Sequence, residues 1–299
     1  MVYITVAQGE LYCILSGFLY GLIGYFGINA IHSGLSIHAM SIWRFFISAL
    51  SCILIALVWQ KPISYPKKEY IYAFLNGAIF YTISTVGYFG SSLYLGTGLA
   101  MVVFFAYPAF ILILDYLFYK TKIQKATCLS MILIFIGMLF LGDTQNATVN
   151  TTGIVLGIIG ALGYACYIII SKKGKLDPTL STAFISLGCM SASLICALID
   201  NSFIIPSSLF TWTHLFGAGI MCTALPILFL LKGLALISAE KAAILSVLEP
   251  IFTLFFGVLL LNEQIFWRQY IGILIILSGA IITLAYPSFI ANKNKTSAH

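Results

Sequence analysis

The chain has 299 residues, of which 61% are hydrophobic and only 8% charged, against roughly 25% charged in a soluble domain. Such a composition cannot cover a water-facing surface with polar groups, so it excludes a soluble globular protein and points to lipid. The net charge of +6 is carried by too few, too scattered residues to follow a phosphate backbone, which excludes nucleic acid as a partner.

In chain order, ten apolar segments approach the roughly 20 residues a helix needs to cross a bilayer. They fall at about 11–31, 38–59, 70–93, 98–119, 126–142, 153–171, 180–199, 212–231, 241–261 and 269–287. The first ten residues hold no Lys or Arg, so the first segment is expected to remain as a span rather than serve as a cleaved signal. The connectors are short and carry turn chemistry: Ser33-Gly34, Lys61-Pro62, Gly96-Thr97-Gly98, Asp177-Pro178 and Pro206-Ser207-Ser208. None can hold a soluble domain, so any chemistry belongs inside the bundle. The fold class is therefore an all-α integral membrane protein.

The second half repeats the first. Val103–Gly137 aligns with Leu245–Gly279, placing Pro108 on Pro250, Ile123 on Ile265 and Gly137 on Gly279, each 142 residues apart; Gly21 falls on Gly163 at the same offset. The expected units are 1–145 and 146–299, with five spans each. Five is odd, so the two copies must lie upside down relative to each other, as in many secondary transporters. With the N-terminus in the cytoplasm, 13 of the 15 basic residues fall on the cytoplasmic side, leaving Arg44 and Arg268 elsewhere. The positive-inside rule then puts both termini in the cytoplasm and the protein in the cell (inner) membrane as a multi-pass protein. The lysine-bearing stretch Lys120–Lys125 aligns with the lysine-free Asn262–Arg268, as opposite-facing copies require.

Glu249-Pro250 is the sharpest local feature. Glu249 lies eight residues beyond Lys241, about 12 Å along a helix at 1.5 Å per residue, near mid-membrane. A carboxylate there is costly unless protonated, paired or facing a wet cavity. Pro250 cannot donate its backbone hydrogen bond and frees the carbonyl of Ser246. A substrate or proton site and a structural carboxylate locking two helices both fit. Tyr107-Pro108 is the matching kink in the first half, with Tyr107 as a substrate-facing phenol or an ordinary core tyrosine.

Asp115 is expected to pair with Lys120 or Lys122. Arg44 sits two turns into the second span, where it can snorkel outwards or recognise a substrate carboxylate. Gly17, Gly21 and Gly24, and Gly153, Gly157, Gly160 and Gly163, have the small-residue spacing of close helix contacts. Asn146-Ala-Thr148 and Asn150-Thr-Thr152 match glycosylation acceptors, a tripeptide that chance also supplies. The seven cysteines lie in apolar runs without a C-x-x-C pair, and His32, His38 and His214 are isolated. They read as small hydrophobes and span-end residues, and no metal or cofactor is expected.

Four stretches resemble the drug/metabolite transporter superfamily, specifically its EamA-type ten-helix transporters: Trp43-Arg44-Phe45; Tyr94-Leu95 through Ala106-Tyr107-Pro108-Ala109; Leu248-Glu249-Pro250-Ile251 with Leu261-Asn262-Glu263; and Gln269-Tyr270-Ile271-Gly272 through Gly279. Tyr119-Lys120-Thr121 departs from the Gly-Glu pair of many members. The resemblance implies a cavity lined by helices 1, 3, 4, 6, 8 and 9 that opens alternately to either side. Carried onto this chain, its lining includes Tyr20, Tyr88, Tyr107, Tyr164 and Glu249.

The expected function is secondary-active export or permeation of a small metabolite such as an amino acid or another zwitterionic, aromatic or weakly cationic solute. Glu249 is the candidate for proton coupling. No cluster of mid-membrane cations suits sugar phosphates or nucleotide sugars. The alternatives are a membrane-embedded enzyme, which would need a nucleophile and base grouped at one depth, and a non-transporting scaffold. The partners expected are a small solute, the lipid bilayer and protons, with a monomer or homodimer as the working unit.

Overall fold

The computed structural model describes residues 2–59, 65–120, 125–141, 150–261 and 266–296. Lys61-Pro62, Lys122, Asn146-Ala-Thr148 and the Asn262–Gln264 stretch lie outside the described residues. Within them, all regular structure is helical, because backbone groups in hydrocarbon must find their partners within the same segment or a closed barrel.

The described helices form ten membrane-scale stretches. Seven are long and apolar enough to cross on those grounds alone: Val6–His32, Ile37–Val58, Leu99–Phe118, Thr151–Lys173, Pro178–Ile199, Leu209–Leu236 and Ala239–Leu260. They are the first, second, fourth, sixth, seventh, eighth and ninth spans. The fifth and tenth contain the shorter apolar helices Lys125–Phe140 and Trp267–Ile282. The third runs from Lys67 through Leu95 and starts on the polar Lys67-Lys68-Glu69. The eighth continues five residues past its expected end. Lys232 does not end that helix: its ammonium lies 5.7 Å from the Tyr12 ring centroid, and Leu234 beyond it is buried.

Five of these helices depart from regular α geometry, and two pairs of departures match across the halves. The fourth span breaks at Phe105–Ala106 and the ninth at Val247–Leu248. Each break is closed by three-residue turns. Ala106 N donates to Val103 O (3.2 Å) and Leu248 N to Leu245 O (3.1 Å), partners 142 positions apart. The cause is the proline two residues on, which removes a donor and crowds the preceding turn. The third and eighth spans instead widen into π-helical turns at Gly77–Tyr81 and Gly217–Ala224. In each, a threonine hydroxyl bonds the carbonyl five residues back: Thr82 to Gly77 O (3.0 Å) and Thr223 to Ala218 O (2.7 Å). The first span also breaks, at Gly21–Leu22, whereas Gly163 lies in unbroken helix.

The most extensive interfaces join the second span to the seventh, the fifth to the tenth, the third to the sixth and the first to the eighth. Exchanging the halves leaves this set unchanged. The fifth–tenth contact shows the correspondence atom by atom. A Cβ built on Gly137 would lie 2.7 Å from Cγ1 of Ile276 and 2.8 Å from Gly272 O. A Cβ on Gly279 would lie 2.9 Å from Cγ1 of Ile134 and from Ser130 O, the equivalent atoms. Both positions need glycine because helix backbones meet there.

One further mismatch bears on the two ends of the bundle. Ala239–Ser246 of the ninth span packs against Tyr107–Tyr119 of the fourth, whereas their counterparts, Thr97–Phe104 and Glu249–Leu261, form no comparable interface. The bundle is thus closed at the end where Lys120, Lys172, Lys175 and Lys241 gather, and looser at the other.

Candidate functional site

That looser half holds a cavity between the two units. The first span contributes Tyr20 and Ile23, the second Arg44, and the third Tyr81, Ser84, Thr85, Tyr88 and Phe89. The fourth adds Phe104, the sixth Tyr164 and the ninth Glu249. The wall is largely aromatic, with one cationic and one anionic residue. The eighth span, expected to line it, contributes nothing, and the second takes part instead.

Arg44 does not snorkel: it is only 4% exposed. Its Nη2 donates to Thr85 Oγ1 at 3.3 Å. Its guanidinium carbon sits 4.4 Å from the Phe45 ring centroid and 5.8 Å from that of Phe89, within cation–π range. Nε has no partner. A buried guanidinium with an unused donor is ready to receive an anionic or carbonyl oxygen.

Glu249 opens the second half of the broken ninth span. The first span passes beside it at Gly17, where a Cβ would lie 3.6 Å from the Glu249 amide nitrogen, in ordinary contact. Among the described residues its carboxylate makes no ion pair; those present are Lys241–Glu10 and His38–Asp200. Arg44 and Glu249 therefore share one cavity without neutralising each other.

The cavity floor is a tyrosine cluster facing the closed end. Tyr20 and Tyr81 join hydroxyls at 2.9 Å. The Tyr81 and Tyr167 rings lie 4.6 Å apart, and Tyr107 meets Tyr164 edge-on at 4.7 Å. Tyr107, expected as a lining residue, is fully buried behind Tyr164, its hydroxyl 3.5 Å from Ala243 O. It belongs to the closed layer because the fourth span packs there against the ninth, while the ninth places Glu249 on the open side of its own break.

Of the sequence-derived candidates, Tyr20, Arg44, Tyr88, Tyr164 and Glu249 converge on the cavity, Tyr107 stands outside it, and Pro108 and Pro250 set the paired breaks. Tyr81, Ser84, Thr85, Phe89 and Phe104 were missed. Tyr81, Ser84, Thr85 and Tyr88 follow the i, i+3, i+4, i+7 spacing of one helix face, a signal hidden by apolar residues all round.

The remaining candidates have structural surroundings. Gly153, Gly157, Gly160 and Gly163 pack against the third and fourth spans, and Gly160 meets the backbone of Gly87. Asp115 forms no ion pair with Lys120. Asn150 caps the sixth span, accepting from the amides of Thr152 (2.9 Å) and Gly153 (3.3 Å). His38 lies 3.6 Å from Asp200. His214 Nδ1 lies 2.8 Å from Phe210 O. The seven cysteines are free thiols. No group of three or more metal-ligating side chains occurs among the described residues.

A helical membrane protein with a charged, aromatic-walled cavity between two like units has the build of a small-molecule transporter. The EamA-like transporter family model matches residues 7–142 and again 151–285, once in each half. The chain belongs to the EamA-like transporter family. It is 26% identical over 275 residues to an uncharacterized transporter of Archaeoglobus fulgidus, covering 92% of this chain and 95% of that one. It is 27% identical over 164 residues to the uncharacterized transporter YwfM of Bacillus subtilis, covering 53% of each. A solved crystal structure with 14% identity superposes with a TM-score of 0.79, covering 92% of this chain and 96% of the other; that likeness concerns the fold.

Proposed function

We propose that the protein is a secondary-active permease for a small zwitterion of the amino-acid type, working by alternating access between two inverted units, 1–145 and 146–299. One observation carries the reading: Arg44 and Glu249 face one aromatic-walled cavity, neither with a charge partner among the described residues. A zwitterion supplies both complements, its carboxylate to Arg44 and its ammonium to Glu249, while its side chain meets Tyr88, Phe89 and Phe104. Opposite charges held apart select such a solute over a simple anion or cation, either of which would leave one buried charge unmatched. The lysine-rich end faces the cytoplasm under the positive-inside rule, so the cavity faces outwards. Glu249 is the proton-coupling group, since no ion pair among the described residues neutralises it.

The test is uptake and counterflow of labelled amino acids in proteoliposomes with an imposed pH gradient. Arg44→Gln should abolish transport, and Glu249→Gln should weaken it and remove the pH dependence of what remains. Unchanged transport in Arg44→Gln, or an intact pH response in Glu249→Gln, would refute the corresponding assignment.

A further inference from the structure

The closed end is fastened by lysines that have no counterparts at the other end. Lys241, at the start of the ninth span, donates to the carboxylate of Glu10 on the first. Lys172, at the end of the sixth, bends its ammonium onto the carbonyls of Leu234 and Ile237 (the latter at 2.7 Å), where the eighth span terminates. These are orphan carbonyls of a helix C-terminus, which favour a cation. Glu10–Lys241 joins two spans that line the cavity, and Lys172 ties the cavity-lining sixth span to the eighth, so parting either pair would loosen the cavity floor. Shifting by 142 residues turns Glu10, Lys241 and Lys172 into Thr152, Leu99 and Ala30, none charged. Among the described residues the other ion pair, His38–Asp200, lies at the opposite end and joins the second and seventh spans through an exposed carboxylate.

We propose that Glu10–Lys241 and Lys172 form a two-point latch that holds the lysine end shut and sets the resting state to one-sided access. Just inside it lies the sealing layer, where Ala242, Ala243 and Tyr107 are fully buried. Opening the latch lets the ninth span part from the fourth and wets that layer. The inference rests on the transporter reading for its purpose but not for its test.

The full chain, freed of native cysteines and carrying Ala243→Cys, is reacted in lipid nanodiscs with a membrane-impermeant sulfonated maleimide. A second protein retains only Cys189, fully buried on the seventh span, and reports general loosening. Glu10→Gln should raise the labelling rate at position 243 about tenfold, the effect of losing a charged contact worth ~1.4 kcal/mol, and leave Cys189 unchanged. Lys172→Gln should raise it as well, and the exchange Glu10→Lys with Lys241→Glu should restore protection. Unchanged rates at position 243 in Glu10→Gln and Lys172→Gln would overturn the latch. An equal rise at Cys189 would also overturn it, making the contacts simple supports of the fold. Latch failure with proteoliposome transport intact would leave the permease reading standing, and the converse result would remove only that reading.

Discussion

The fourth and ninth spans follow the same backbone plan to different ends. Both break just before a proline, with matching three-residue turns at Ala106 and Leu248. At the equivalent position the fourth carries Tyr107, buried in the closed layer beside Ala243 O, and the ninth carries Glu249, which faces the cavity. Duplication kept the joint and changed what the joint presents. One copy places a tyrosine in the closed layer and the other turns a glutamate toward the cavity.

Exchanging these residues should break the comparison most severely. Tyr107→Glu places an unmatched carboxylate in the sealing layer, whereas Tyr107→Phe loses only a long hydrogen bond. We expect Tyr107→Glu to destabilise the detergent-solubilised protein by several kcal/mol, on the order expected for a buried charge lacking a partner, and Tyr107→Phe by no more than about 1 kcal/mol. Thermal unfolding followed by tryptophan fluorescence checks both; equal effects would mean that Tyr107 does not sit in a dry layer.

The next effect concerns glycines at helix crossings. A Cβ on Gly77 would lie 2.0 Å from Ile185 O, a backbone atom that cannot step aside. A Cβ on Gly219, its counterpart, would lie 2.7 Å from Cβ of Ile47 and 2.9 Å from Arg44 O, a milder clash with atoms that are also held close to the backbone. Gly77→Ala should therefore cost more than Gly219→Ala, which falls in the ~1–3 kcal/mol range of overpacking. Gly137→Ala and Gly279→Ala, with equivalent surroundings, should cost nearly the same. The ranking of apparent melting temperatures tests this.

Thr82→Val and Thr223→Val each remove the hydroxyl that closes a π-helical turn. Each should cost about 1 kcal/mol, the net worth of a hydrogen bond, and the two losses should be similar in the same melts. The smallest effect is at the looser end. The hydroxyl of Ser202, 2.5 Å from Asp200 Oδ1, holds that carboxyl below its ordinary value of 3.8, with help from the Ser202 amide and His38. A folded value below the unfolded one gives stability that is present above pH 3.8 and lost as the pH falls through the folded value. Asp200→Asn should thus lower the melting temperature slightly at neutral pH, and the difference should vanish in acid. Because Asp200 is exposed, a large neutral-pH loss would refute the solvated picture.

Much of this architecture was legible in the residues. Apolar length marked the spans, the 142-residue register exposed the duplication, and Glu249 stood out as a carboxylate near mid-membrane that fitted either a substrate or proton site or a structural lock. Tyr107 was misplaced because register transfers position along a helix but not the side of a broken helix that faces the cavity. Arg44 was open to two readings until Phe45, Phe89 and Thr85 were seen to hold it inside. The lysine latch joins Glu10 to Lys241, a contact that no local pattern specifies. The π-helical turn at Gly77–Tyr81 lies in a run that is apolar on every side, so no hydrophobic periodicity was present to be interrupted.

Those two wide turns bear on how the chain tolerates change in length. Each holds one residue beyond the ordinary helical count, which rotates everything after it by roughly 100° at 3.6 residues per turn. In the third span this lets Gly77 lie flush against the seventh span while Tyr81, Ser84, Thr85 and Tyr88 face the cavity. Losing a single residue there would yield a smoother helix, one that turns this stripe away from the cavity.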